Sequence, residues 1–206
     1  MAVGLVRTAW SGTSGGPGVT QLFVTNGNAF GSLTAAEAQS AVNAVRTFWF
    51  GLASFLPNEI VLLVSPVVDQ YDVANGELVG SVSAATAPVS VVGTSQAVYS
   101  MPAGFKLNLN TGTVRNGRRV RGGIFVVPAS SGAFSDGGLV SSATRTAANT
   151  AGAKLLSDLA TAGLQLVVYS RPLDADQPKG PRNGAVAAVT AVETNEKGAI
   201  LRGRRD

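Results

Sequence analysis

Residues 34–56 read TAAEAQSAVNAVRTFWFGLASFL, and this segment carries the clearest signature of regular structure in the chain. Thr34 and Glu37 have the spacing of a capping box, in which the hydroxyl and the carboxylate each accept a hydrogen bond from a free backbone N–H at the helix start. Apolar residues then recur at intervals of three and four and share one helix face. They are Ala38, Ala41, Val42, Val45, Phe48, Trp49, Leu52 and Leu56. The pattern predicts an amphipathic helix that ends at Pro57.

Extended segments surround this helix. Asn75-Gly76 and Asn116-Gly117 predict two β-hairpins, and the continuous apolar run 60–65 predicts a strand buried on both faces. A weaker amphipathic pattern over residues 141–162, followed by Gly163, predicts a second helix with a left-handed cap. The predicted strands are 3–10, 19–25, 60–65, 67–71, 77–83, 89–92, 106–114, 118–127, 164–169 and 185–192, with a short last extended piece at 199–202.

The order of these elements is β-β-α-β-β-β-β-β-β-α-β-β, in which hairpins dominate. This order predicts an α+β fold, a mainly antiparallel β-sheet covered by two amphipathic helices. A jelly-roll-like β-sandwich is the alternative, since many short strands also suit that fold; the long capped helix argues against it. Nothing marks a domain boundary, so we expect one domain over residues 1–206. It includes a glycine-rich loop at 11–18 and a basic C-terminal tail at 202–206.

Histidine and cysteine are both absent from the 206 residues. Their absence excludes catalytic triads built on histidine or cysteine, thiol redox chemistry, and metal sites with nitrogen or sulfur ligands. Charged residues make up only 14% of the chain and hydrophobic residues 45%. So few charges on a surface favour contact with other protein, and we expect a homo-oligomer.

The charge is unevenly divided between the two halves of the chain. Residues 1–105 hold two basic and five acidic residues, a net charge of −3, whereas residues 106–206 hold fourteen basic and seven acidic residues, a net charge of +7. Such a division favours a polyanionic partner or an acidic surface on a neighbouring subunit, and a solubilising basic face is the plainer alternative.

Residues 115–121, RNGRRVR, which we call the arginine segment, carry the sharpest signal. A two-residue turn at Asn116-Gly117 places Arg115 opposite Arg118, and pleat alternation puts Arg119 and Arg121 on one face with Arg118 and Val120 on the other. Facing like charges repel unless a phosphate or carboxylate lies between them. Nucleic-acid phosphates, an acidic patch of a neighbouring subunit and bulk solvent all remain open. The candidate nucleic-acid-binding residues are Arg115, Arg118, Arg119 and Arg121, with Arg202, Arg204 and Arg205 in the tail.

Other motifs give no support for catalysis or cofactor binding. The glycine-rich loop at 11–18 has no lysine and leads into a strand, so it does not match a phosphate-binding loop. The oxygen-bearing residues Asp69, Asp72, Asn75 and Glu77 do not have calcium-loop spacing, and turn chemistry accounts for them. No apolar run reaches the ~20 residues of a membrane helix. We therefore expect no enzyme activity, no metal or other cofactor, no small-molecule substrate and no membrane partner.

Several segments of the chain resemble proteins encoded in small viral genomes from environmental samples, which are regarded as coat proteins. The segments are TAWSGT (8–13), GPGV (16–19), NGRRVRGGIFVVP (116–128), YSRP (169–172) and LRGRRD (201–206). The resemblance implies a capsid protein of the virion, made in the host cytoplasm, that self-assembles into a shell around viral nucleic acid. The alternatives are a structural protein of a phage tail, neck or connector and a non-viral nucleic-acid-binding module.

Overall fold

A computed structural model describes residues 1–12, 18–28, 31–85, 89–95, 104–115, 118–135, 138–170 and 184–194, with the backbone alone at residues 89, 113–115 and 118–126. Its ten strands are β1 (Ala2–Ser11), β2 (Gly18–Thr25), β3 (Val61–Val64), β4 (Val67–Asp72), β5 (Leu78–Ser83), β6 (Val89–Val92), β7 (Gly104–Arg115), β8 (Arg118–Pro128), β9 (Gln165–Ser170) and β10 (Ala185–Glu193). Its helices are α1 (Ala35–Phe50) and α2 (Ser142–Thr161), with short 3₁₀ turns at Ala53–Phe55 and Ser131–Ala133. The predicted order of ten strands and two helices is confirmed.

All ten strands belong to one antiparallel sheet. Eight of them follow the order β5-β4-β1-β2-β9-β10-β7-β8, and β3 and β6 lie off this path. The long strand β1 pairs with β2 on one side. On its other side the first half of β1 pairs with β4 and the second half with β3. β6 continues this arrangement outward by pairing with β3, as β5 does with β4. The predicted fold class, a mainly antiparallel sheet with two helices, is therefore confirmed.

Both helices cover one face of the sheet, which we call the inner face. Alternate residues of the strands point to this face and join the helices in the main hydrophobic core, among them Val6, Leu22 and Leu62. Trp49 of α1 is completely buried, and its indole N–H donates to Thr8 Oγ1 of β1 at 3.1 Å. This bond satisfies a polar atom in the middle of the core and fixes α1 against the central strand.

α1 begins as predicted and ends earlier than predicted. The capping box is present: Thr34 Oγ1 accepts from the Glu37 N–H, and Glu37 Oε2 accepts from the Thr34 N–H. The helix stops at Phe50 with Gly51 as its C-cap residue, and the chain turns through the 3₁₀ segment before Pro57. Leu52 and Leu56 are nevertheless fully buried, so the predicted apolar face continues beyond the helix itself.

Two glycines position α2. Gly163 has a φ of +72°, which confirms the predicted left-handed cap. Gly152 faces β10, where a Cβ atom would lie 2.7 Å from Val192 Cβ, well inside van der Waals contact. Glycine at this position therefore allows α2 to pack closely on the sheet.

The capping box makes the free energy of unfolding depend on pH. The hydrogen bond from the Thr34 backbone lowers the pKa of Glu37 from its ordinary value of 4.5, although slight burial opposes the shift. Because the folded pKa is below the unfolded one, the stabilisation is complete above about pH 4.5 and is lost as the pH falls through the folded pKa. We expect Glu37→Gln to flatten the acid side of a plot of unfolding free energy against pH. A Glu37→Gln protein with the wild-type acid slope would contradict the assignment.

Thr34→Ala removes the hydroxyl that accepts from the Glu37 N–H and should lower the free energy of unfolding by about 1 kcal/mol at neutral pH, measured by chemical denaturation.

Candidate nucleic-acid and assembly surfaces

The arginine segment lies at the end of the β7–β8 hairpin, at one edge of the sheet. Arg115 pairs with Arg118 and Val114 with Arg119, which confirms the predicted register across the turn. β10 pairs with β7 only as far as Thr111, since its other half, Ala185–Ala188, pairs with β9. In the described part of the chain the last residues of β7 therefore extend beyond β10 with β8 as their only strand neighbour.

The ladder behind this tip is irregular. Asn110 pairs with Arg121, and the next pair is Val114 with Arg119, so β7 contributes three residues, 111–113, where β8 contributes one. A bulge of this kind bends a hairpin and increases its twist. The predicted alternation of Arg118, Arg119 and Arg121 between two faces concerns side chains that lie outside the described residues.

Acidic residues are missing from the hairpin. The segment 104–128 contains five basic residues and no acidic residue. Glu193 of β10 is opposite Asn108, and its Oε2 accepts a hydrogen bond of 2.8 Å from the Asn110 side chain. The strand next to β7 thus presents its carboxylate near the middle of the hairpin and not opposite the arginine pair.

The other three candidate arginines are not tested. Arg202, Arg204 and Arg205 lie outside the described residues, as do most of the glycine-rich loop and the predicted extended piece 199–202. The structure therefore brings together four of the seven predicted residues on one hairpin backbone, Arg115, Arg118, Arg119 and Arg121. That the tail arginines bind nucleic acid stays a prediction.

The acidic half of the chain uses its carboxylates in local contacts. Asp69 Oδ2 forms an ion pair of 2.7 Å with Arg7 Nη2, and its other oxygen accepts from Ser81 Oγ. Asp72 accepts from the Ala74 backbone N–H, and Glu77 accepts from the Asn75 side chain. These are turn and cross-strand bonds, in agreement with the predicted turn chemistry. No cluster of three possible metal-ligating side chains occurs among the described residues.

A second surface was missed by sequence reasoning. We call the sheet face opposite the helices the outer face. At one end of it β2, β1, β3 and β6 present Val19, Ala9, Val61, Leu63 and Val92, which we call the outer-face patch. Ala9 pairs with both Val19 and Leu63, and Val61 pairs with Val92, so these side chains are cross-strand neighbours. Val19 is 59% exposed, Val92 49%, Leu63 43% and Val61 39%.

The prediction that 60–65 is a strand buried on both faces is wrong. In β3 only Leu62 and Val64 reach the core, and Val61 and Leu63 point to the outer face. A continuous apolar run does not reveal which of its two faces is covered. The position of the run beside the exposed edge strand β6 becomes visible only in the folded sheet.

Other parts of the outer face are polar or covered, except that Val67 of β4 and Leu78 of β5 are 40% and 57% exposed there. Val3 and Leu5 are buried there with Tyr71 and Val167 in a small second cluster. Between this cluster and the outer-face patch lies Arg7 with its partner Asp69. The outer-face patch is therefore the part of this face where exposed aliphatic side chains from neighbouring strands are cross-strand partners.

Comparison of the chain with protein-family models, with curated proteins and with solved structures finds no match. Within the described residues, neither helix has the length and apolar character that a membrane crossing requires.

Proposed function

We propose that the protein is a viral coat protein that self-assembles into a shell and neutralises packaged nucleic acid through its arginines. The observation that carries the proposal is the pairing of Arg115 with Arg118 at the tip of a hairpin that has no acidic residue. Two guanidinium groups at facing positions of a ladder repel each other, and a phosphate between them removes the repulsion. The partners are viral nucleic acid and further copies of the chain.

The location of the arginine segment supports this role. The tip extends beyond the part of β7 that pairs with β10, so Arg115 and Arg118 pair only with each other in the described ladder. Arginine side chains bind phosphate oxygens through two parallel hydrogen bonds, and such contacts supply affinity without sequence information. A coat protein needs this kind of binding, because it must cover a whole genome whatever its sequence.

Self-assembly is supported by the outer-face patch and by the low charge. Contiguous aliphatic side chains on the solvent side of a sheet are unfavourable in a monomer, and burial against protein stabilises them by roughly 25 cal/mol for each Å² covered. With charged residues at 14%, little electrostatic repulsion opposes close packing of copies. In this proposal the protein is made in the host cytoplasm and ends in the virion, with no role for a membrane or a small-molecule substrate.

The test is negative-stain microscopy of the expressed full chain, combined with the ratio of absorbance at 260 and 280 nm. Closed shells of uniform size with a raised ratio are the expected result. Rings or tubes would instead favour a phage tail, neck or connector protein. Salt-sensitive binding of nucleic acid by a protein that never assembles would favour a nucleic-acid-binding module. A monomer that binds no nucleic acid at any salt concentration would overturn the proposal.

A further inference from the structure

The outer-face patch has the chemistry of the centre of a protein interface. Its four exposed aliphatic side chains come from the strands β2, β3 and β6, with Ala9 of β1 between them. The residues that alternate with them, Thr8, Thr20, Leu62 and Val91, are buried on the inner face. The patch is thus held on a rigid four-stranded platform whose other side is fixed by the core.

The ion pair beside the patch favours a protein over a polyanion as its occupant. Arg7 stands two residues from Ala9 on the same face, and its guanidinium is 2.7 Å from the Asp69 carboxylate. The pair is neutral as a whole, with Arg7 44% exposed and Asp69 16% exposed. Phosphates of a nucleic acid or of a lipid headgroup would find no net positive charge here. Of the partners considered, an apolar protein surface fits best.

A second copy of this chain is complementary both to the aliphatic side chains of the patch and to the ion pair beside it. When two identical faces meet about a twofold axis, each patch covers the other, and the ion pair of each copy can meet that of its mate in the opposite direction. Arg7 of one copy then approaches Asp69 of the other, and the reverse contact forms by symmetry. An apolar centre with a polar border that carries both signs is the usual composition of such interfaces.

Resting on the proposed function, we propose that the outer-face patch is the contact by which two copies pair, sheet face against sheet face, during shell assembly. Aligned sheets pack about 10 Å apart with interdigitated side chains, which suits aliphatic residues of this size. β8, which carries most of the arginine segment, ends the strand order opposite β3 and β6 and also contacts β2 and β9, and the segment contributes no residue to the patch.

The decisive variant is Leu63→Lys. This side chain points away from the core, so the fold should tolerate the change, whereas a lysine in the centre of the contact would be buried against the mate's aliphatic residues. We expect the protein concentration needed for half-maximal pairing, followed by light scattering, to rise about thirtyfold or more. The matched control is Leu139→Lys, because Leu139 is 46% exposed and lies outside the patch. It should pair and assemble like the wild type.

A charge-complementation experiment tests whether a second copy of the chain covers the patch. Leu63→Lys and Leu63→Asp, each unable to pair alone, should recover pairing when mixed at low salt, because the mixed contact brings opposite charges together. Circular dichroism checks that both variants are folded. Should Leu63→Lys fail to fold, Val92→Lys on the edge strand β6 replaces it.

The outcomes separate the two proposals. Wild-type assembly that persists unchanged in Leu63→Lys would overturn the pairing contact and leave the coat function intact. Equal loss in Leu139→Lys, or a mixture that does not recover, would also overturn the pairing contact. A wild-type chain that neither associates nor binds nucleic acid would overturn the coat function itself.

Discussion

Replacement of Arg115, Arg118, Arg119 and Arg121 with glutamine should weaken binding to nucleic acid by at least about a hundredfold at ~0.1 M salt. Each arginine that contacts a phosphate releases about one counterion, so the plot of log affinity against log salt should lose about three to four units of slope. Glutamine keeps a polar side chain with an unbranched aliphatic stem, although a shorter one, and removes the positive charge. Fluorescence anisotropy with a labelled oligonucleotide over a series of salt concentrations measures both quantities.

The control variant removes two positive charges that lie outside the arginine segment. Arg46 and Lys154 lie on the helices, where Arg46 stacks on Phe50 and Lys154 pairs with Asp158. Their joint replacement with glutamine should change the slope far less than the double variant Arg118→Gln and Arg119→Gln, although both remove two charges. A quadruple variant with the wild-type slope would show that the arginine segment does not contact phosphates. Deletion of residues 202–206 tests the tail in the same assay.

Truncation of Trp49 to alanine should lower the free energy of unfolding by about 3–5 kcal/mol, the largest stability effect that we expect from one substitution. The indole is completely buried and packs edge-to-face on Phe48, with ring centres 5.2 Å apart. Its removal leaves a cavity between α1 and the sheet and leaves Thr8 Oγ1 without the donor at 3.1 Å. Chemical denaturation followed by circular dichroism gives the free-energy difference.

Phe50 supplies the matched comparison. It is the next residue on α1, is also aromatic and is 49% exposed. Phe50→Ala should cost less than about 1 kcal/mol, as is usual for surface substitutions with few contacts. Trp49→Phe should fall between the two, because it keeps most of the volume and loses the hydrogen bond. Equal costs for the alanine variants at 49 and 50 would contradict the described packing of α1.

Much of the fold could be predicted because its signals are local. The capping box at Thr34 and Glu37 and the left-handed glycine at 163 each depend on a few neighbouring residues, and both are confirmed. The register of the second hairpin follows from its two-residue turn, so the pairing of Arg115 with Arg118 was also predicted correctly.

The remainder depends on contacts between distant parts of the chain. α1 ends at Phe50, with Gly51 as its C-cap residue. The apolar pattern nevertheless continues to Leu56 through a 3₁₀ turn, so the pattern alone did not show where the helix ends. The bulge in β7 places three residues opposite one, and no local pattern reveals it. The outer-face patch depends on which strands neighbour β3, so only the assembled sheet shows that Val61 and Leu63 remain uncovered.

The tetrapeptide VLLV of β3 has a consequence for folding fidelity. Both faces of β3 are apolar. A one-residue shift in its register would therefore place Val61 and Leu63 in the core instead of Leu62 and Val64, with little change in the apolar area buried. The strand itself cannot reject this mispairing. Correct alignment must come from its flank, where the Ser65 N–H donates to the Arg7 carbonyl and Ser65 Oγ is hydrogen-bonded to the backbone of Val67. Ser65 therefore fixes the register of β3 and prevents it from pairing with its two faces exchanged.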